Sequence, residues 1–162
     1  ACHGRSAGCG HHPRRPGRAL TQRLFVAEPP QRYRVLPPLV VDCSTLAGLV
    51  FQEVWQVQAA ERIGGKTLHA PTLLPFEIAS VAAKKQKAGR ADIAADGLQM
   101  FAQMGVELHA VEPAAMLDLA TRYRLSTYDA AYLWLAADLK APLATFDEKL
   151  AAAAQAHLAS LP

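Results

Sequence analysis

Cysteine is nearly missing from the body of this chain: of three in 162 residues, two stand within the first nine positions and only Cys43 lies beyond them. So odd and sparse a set excludes a disulfide framework and makes a reducing cytoplasm the expected compartment. Long apolar runs are missing too. No stretch of about 18 apolar residues offers a membrane span, and the longest apolar piece near the N-terminus, LFVA, falls far short of a secretory signal. A broad basic field is also lacking. The formal charge of +3 is unevenly spread: residues 1–38 carry seven Arg against one Glu, and residues 39–162 carry ten Lys and Arg against thirteen Asp and Glu. That leaves +6 on the first part and −3 on the second. The mildly acidic part suits metal ions and basic partners and has no long-range pull on nucleic acid.

Apolar periodicity is absent from residues 1–37, which are rich in Arg, Gly and Pro, the composition of a disordered segment. An Arg-rich, acid-poor leader resembles a mitochondrial presequence in composition, but serine is scarce and helical amphipathicity is missing. The leader therefore reads as upstream sequence taken in by an early start codon, with the natural domain beginning near Val35 to Leu39. Cys2, His3, Cys9, His11 and His12 offer zinc-type donors, yet their spacing matches no familiar finger and Gly and Pro give them no supporting fold. Residues 38–162 are long and apolar enough for one globular domain with a single core.

What that domain does have is carboxylates in costly places. Asp42 closes LVVD, Asp147 follows LATF, Asp129 opens YDAAYLWLAADL, and Glu77 interrupts the stripe Leu74, Ile78, Val81. Between them the chain alternates. LVVD, KTLHA, VELHAV and LATF read as strands, and the intervening segments carry helical spacing with start and stop signals. Ser44 or Thr45 is placed to cap the first helix, Pro75 fits only a first turn, Pro113 opens a helix, and Ser126 or Thr127 caps the next. LASLP is too short to assign as a fifth strand. Strands alternating with helices predict an α/β fold, a parallel sheet covered on both faces. Acids at strand ends then gather at one sheet edge, where such proteins place their sites, and a hard divalent cation neutralises them.

VVDCSTL, LLPFEIASV, LSTYDAAYLWLA and APLATFDEKLAAAA together resemble the PIN domain, most closely the VapC-type toxins of toxin–antitoxin pairs, over residues 38–162. Four motifs arrive in order, each with its own acid. The resemblance implies a three-layer α/β/α sandwich and an endoribonuclease that binds magnesium or manganese through Asp42, Glu77, Asp129 and Asp147. It also implies a homodimer held inactive by a cognate antitoxin. Phosphodiester chemistry supports the same roles. Asp42, Asp129 and Asp147 are the candidate metal ligands, and Glu77 is placed to orient or deprotonate water. The −3 charge of the domain suits an antitoxin with a basic segment.

Each acid also has a plainer reading, since Asp42 and Asp147 fit helix caps, Asp129 a dipole-favoured first turn and Glu77 a stripe edge. It is their joint occurrence that favours a site. Ser44, Thr127 and Thr145 are candidates to hydrogen-bond to the acids from behind. Lys84, Lys85, Lys87 and Arg90 are candidate RNA contacts, with Arg122 and Arg124 weaker ones. Tyr128, Tyr132 and Trp134 suit either base stacking or packing, and Val54, Trp55 and Trp134 either a dimer interface or the core. Cys43 reads as a small hydrophobe, and His69, His109 and His157 as structural. A haloacid-dehalogenase-type phosphatase needs an acid two residues after its nucleophilic Asp, where this chain has Ser44. A receiver domain needs an Asp ending the third strand, which VELHAV lacks. A non-catalytic module that keeps the PIN fold to bind a protein is the alternative from another class.

Overall fold

The structure, a computed structural model, describes residues 35–161. Expectations placed on residues 1–34, the Cys2 to His12 donors among them, lie outside the described residues. The elements run β1 (Pro38–Val41), α1 (Cys43–Val50), α2 (Gln56–Ile63), β2 (Thr67–Pro71), α3 (Leu74–Lys87), α4 (Ala91–Gln103), β3 (Glu107–His109), α5 (Pro113–Tyr123), α6 (Thr127–Asp138), β4 (Leu143–Ala144) and α7 (Glu148–Leu158). The four strands form one sheet in the order β3-β2-β1-β4, with every pairing parallel. Val40 of the central β1 stands opposite both His69 and Leu143.

Successive side chains leave a strand on opposite faces, so consecutive buried residues mean that both faces are covered. Leu39, Val40 and Val41 are all buried, as are Leu68, His69 and Ala70. This is the expected α/β/α arrangement. Val40, Val41, Leu46, Phe51, Leu74, Ile78, Leu133 and Leu150 are among the core side chains that are essentially inaccessible. Burial of each such group contributes about 1.5–3 kcal/mol. Gly97 of α4 faces the Phe51 ring so closely that a Cβ would collide with it, which lets α1 and α4 approach. Among the described residues no helix is long and apolar enough to cross a membrane.

Local signals set most boundaries. Pro75 falls in the first turn of α3, Pro113 opens α5, and Ser126 caps α6 by accepting from Asp129 N–H at 3.0 Å. The cap of α1 is Asp42, however, and not Ser44 or Thr45. Two strands are shorter than expected. β3 keeps only the centre of VELHAV, and β4 stops at Ala144 because the Phe146 N–H turns to Ser44 Oγ, at 2.8 Å, instead of to a strand partner.

Candidate active site

Asp42 ends β1 and caps α1, its Oδ1 accepting from Thr45 N–H at 2.9 Å. Ser44 Oγ lies 2.8 Å from both carboxylate oxygens, and Thr145 Oγ1 donates to Oδ2 at 2.6 Å. Three donors occupy about three of the roughly four lone-pair positions of a carboxylate. Asp42, only 5% exposed, is thereby fixed in orientation with little to spare for anything but an ion. The same hydroxyls bind the far end of the chain. Ser44 accepts from Phe146 N–H, Thr145 accepts from Asp147 N–H at 2.9 Å, and Thr45 Oγ1 donates to Ala144 O at 3.0 Å. These ties hold the β4–α7 turn against the β1–α1 turn and so join Asp147 to Asp42 through Thr145. Asp147 itself caps α7, accepting from Leu150 N–H at 2.7 Å.

Glu77 enters from the first turn of α3 and Asp129 from the first turn of α6. Ser126 Oγ donates to Asp129 Oδ2 at 2.7 Å while accepting from its N–H, a reciprocal cap that fixes the side chain. One turn further along α6, on the same face, the buried Tyr132 donates its O–H to Glu77 Oε2 at 2.5 Å. The pKa of Glu77 is raised above 4.5, chiefly by burial, against the lowering effect of the Tyr132 hydrogen bond, with Asp129 and Asp42 adding to the rise. Glu77 thus lies within electrostatic range of Asp129 and Asp42, which come from two other elements. The Cys43 thiol is pushed up to about 12 by burial and then by Glu77 and Asp42, with Lys84 opposing. It stays protonated, which suits packing and excludes a nucleophile at neutral pH.

Among the described residues, no three of the four acids bring their oxygens within 4.8 Å of one another. Caps and hydroxyls hold them apart. Oxygen donors throughout match the ligand preference of a hard dication that keeps several of its waters.

Several accessory readings change. Thr127 is exposed and the hydroxyl that orients Asp129 belongs to Ser126, because only the cap position reaches back to the first turn. Lys85 is engaged by Glu53 at 2.5 Å with its side chain 17% exposed, which removes it from the RNA candidates. Lys84 is exposed and lies within electrostatic reach of Cys43; Lys87 and Arg90 are exposed as well. Arg122 pairs with Asp118 at 3.7 Å, and Arg124 sits in the left-handed turn closing α5. Tyr132 serves Glu77 and is too buried to stack on a base. Trp55 packs on Phe146 with ring centroids 5.7 Å apart and directs Nε1 at the Ser44 carbonyl, 3.4 Å away, so it braces the site from behind. Val54 is exposed and Trp134 half-buried. A cavity of about 430 Å³ is lined by Leu73, Phe76, Glu77, Ser80 and Tyr128, with Phe76 and Tyr128 largely exposed. Sequence named Ser126 as a cap, Tyr132 for stacking or packing and Trp55 for interface or core, but not their contacts with the acids, though the spacing of Tyr132 three residues after Asp129 was a signal for its face.

The PIN domain family model matches residues 39–156. Over 120 residues the chain is 32% identical to Ribonuclease VapC3 of Pyrobaculum aerophilum, covering 70% of this chain and 92% of that protein. The crystal structure of PAE2754, also from Pyrobaculum aerophilum, superposes with a TM-score of 0.57 at 22% identity, covering 76% of this chain and 93% of the other. That structure shows the shared fold. The match over most of the described domain, together with the VapC3 identity, shows that the chain belongs to the PIN domain family.

Proposed function

We propose that this protein is a magnesium- or manganese-dependent endoribonuclease acting in the cytoplasm as the toxin of a toxin–antitoxin pair. The observation that carries the reading is the electrostatic crowding of Glu77 by Asp129 and Asp42, with Asp147 tied in through Thr145. Kinship to a protein named Ribonuclease VapC3 supports the same conclusion. Asp42, Asp129 and Asp147 would hold the ion. The chemistry supplied by bound magnesium or manganese is neutralisation of phosphate charge and acidification of water.

The chain's own residues do the rest. Glu77, its pKa raised by burial, accepts a proton from the attacking water, and Tyr132 keeps its carboxylate aimed. Lys84 is placed to meet a phosphate of the backbone. Phe76 and Tyr128 present exposed rings beside Glu77 on which unpaired bases stack, favouring single-stranded RNA. Asp42, held by three donors, acts as a ligand and not as the nucleophile that a phosphatase would need. A homodimer, and an antitoxin whose basic segment enters the acidic pocket, complete the reading.

The test is cleavage of a mixed RNA pool by the full chain with magnesium, manganese or EDTA, compared with Asp42→Asn and Glu77→Gln. Metal-dependent cuts reduced at least a hundredfold in both variants are expected. Cleavage that survives EDTA, or is unchanged in Asp42→Asn, refutes the assignment.

A further inference from the structure

We propose that His69, Glu107 and His109 form a second metal site, for a zinc-class divalent cation, at the β2–β3 edge of the sheet. Parallel register places His69 opposite Glu107, and His109 opposite Pro71. Alternation along the strands then brings residues 69, 107 and 109 to one face. His69 Nδ1 lies 3.0 Å from His109 Nε2 and 3.5 Å from Glu107 Oε2. All three ligand atoms fall within 4.8 Å of one another, the only such trio of His, Cys, Asp or Glu among the described residues.

Tetrahedral zinc with ligands at about 2.0–2.2 Å spaces neighbouring ligand atoms about 3.3–3.5 Å apart. The cluster is therefore within a small adjustment of a coordination sphere. Two imidazoles and a carboxylate are a zinc-type donor set that leaves a fourth position for water or a ligand. Imidazole favours zinc, nickel or copper over magnesium, the reverse of the preference of the all-oxygen acidic site. Access is also right. His69 is buried as the anchor, His109 is half-buried, and Glu107 is 58% exposed, so the open position faces solvent. None of the four acids joins the trio, and Glu107 and His109 belong to β3, at the opposite edge of the sheet from β4 and Asp147. A bound ion would tie down β3, which has three residues and pairs only with β2.

A hydrogen bond between the two imidazoles alone also accounts for the 3.0 Å contact, and the experiment separates the two. Zinc is titrated into the metal-free full chain by equilibrium dialysis, with cobalt as a spectroscopic substitute, for wild type, His109→Ala, Glu107→Gln and Asp42→Asn. Wild type and Asp42→Asn should bind one more equivalent than His109→Ala, since Cys2, Cys9 and the leader histidines are common to all. The extra cobalt should show intense visible bands without thiolate charge transfer. Zinc should raise the melting temperature of wild type by about 5 °C or more at a hundredfold excess over Kd and leave His109→Ala unmoved. Glu107→Gln keeps the imidazole pair and an exposed, similar-sized side chain; its melting in EDTA should match wild type while zinc binds at least tenfold more weakly. Equal stoichiometry in His109→Ala, undiminished affinity in Glu107→Gln, or equal competition by magnesium overturns the site.

Discussion

Replacing Tyr132 by Phe isolates one hydroxyl at the centre of the acidic site. The ring is 1% exposed and stays where it is, so the loss is the O–H bond to Glu77. A hydrogen bond to a charged group contributes about 1.5–3 kcal/mol net, but Glu77 is only half-buried and water replaces part of it, leaving about 1–2 kcal/mol. Melting should fall by about 3–8 °C. The pH dependence has a definite sign. Because burial and the neighbouring acids raise Glu77 above 4.5 in the folded state, its favourable contribution is full below about 4.5 and is lost as pH rises through the raised value. Tyr132 opposes that rise, so Tyr132→Phe should cost less at about pH 4 than at about pH 8.

The assay is urea unfolding in EDTA at both pH values for wild type, Tyr132→Phe, Glu77→Gln and the double variant. A coupling of about 1 kcal/mol is expected at the higher pH, shrinking at the lower. Coupling below about 0.3 kcal/mol at both would show that Tyr132 acts only through packing, and would refute its role in aiming Glu77. In cleavage, Tyr132→Phe should lower kcat about tenfold with KM little changed, and should move the acid limb of the pH profile upward.

Asp42→Asn should destabilise the metal-free protein by about 1–2 kcal/mol, measured by urea unfolding, because an amide N–H₂ faces the Thr145 or Ser44 donor in place of an acceptor. Lys84→Ala should weaken RNA binding and flatten its salt dependence by about one phosphate contact in a filter-binding titration, whereas Lys85→Ala should leave binding intact. Cys43, with its thiol pushed up to about 12, should resist alkylation at neutral pH until the protein is unfolded, as read by peptide mass spectrometry alongside Cys2 and Cys9.

The four acids were visible in the sequence because each ends or starts an element whose local signals are strong: LVVD and LATF as apolar runs, Ser126 and Pro75 as helix openers. The central parallel sheet followed from alternation alone. What escaped was set by distance. Lys85 meets Glu53 thirty-two residues away, and His69 meets His109 forty residues away, pairings that depend on packing and register and leave no local trace. Tyr132 looked like core, and is core; its hydroxyl acquires a role only when α3 is laid beside α6. β4 looked longer than it is because LATF is apolar but for Thr145, a residue that favours strands, while its last backbone donor is claimed by Ser44. Thr127 and Ser126 were indistinguishable as caps until backbone conformation chose one.

The bond from Thr145 to Asp42 crosses 103 positions of chain, and the pairing of β1 with β4 closes the same loop. Closing so long a loop is entropically costlier than the β1–β2 pairing, which spans far fewer residues, so the short β4 is the pairing expected to join late. The order has a biological corollary. A growing or partly folded chain can already possess α1, α3 and the strands that bury Val40, yet Asp42 has no Thr145 to hold it and Asp147 has not arrived. The site is thus complete only when the chain is: a nuclease built this way lacks its full set of acids until its two distant turns have met.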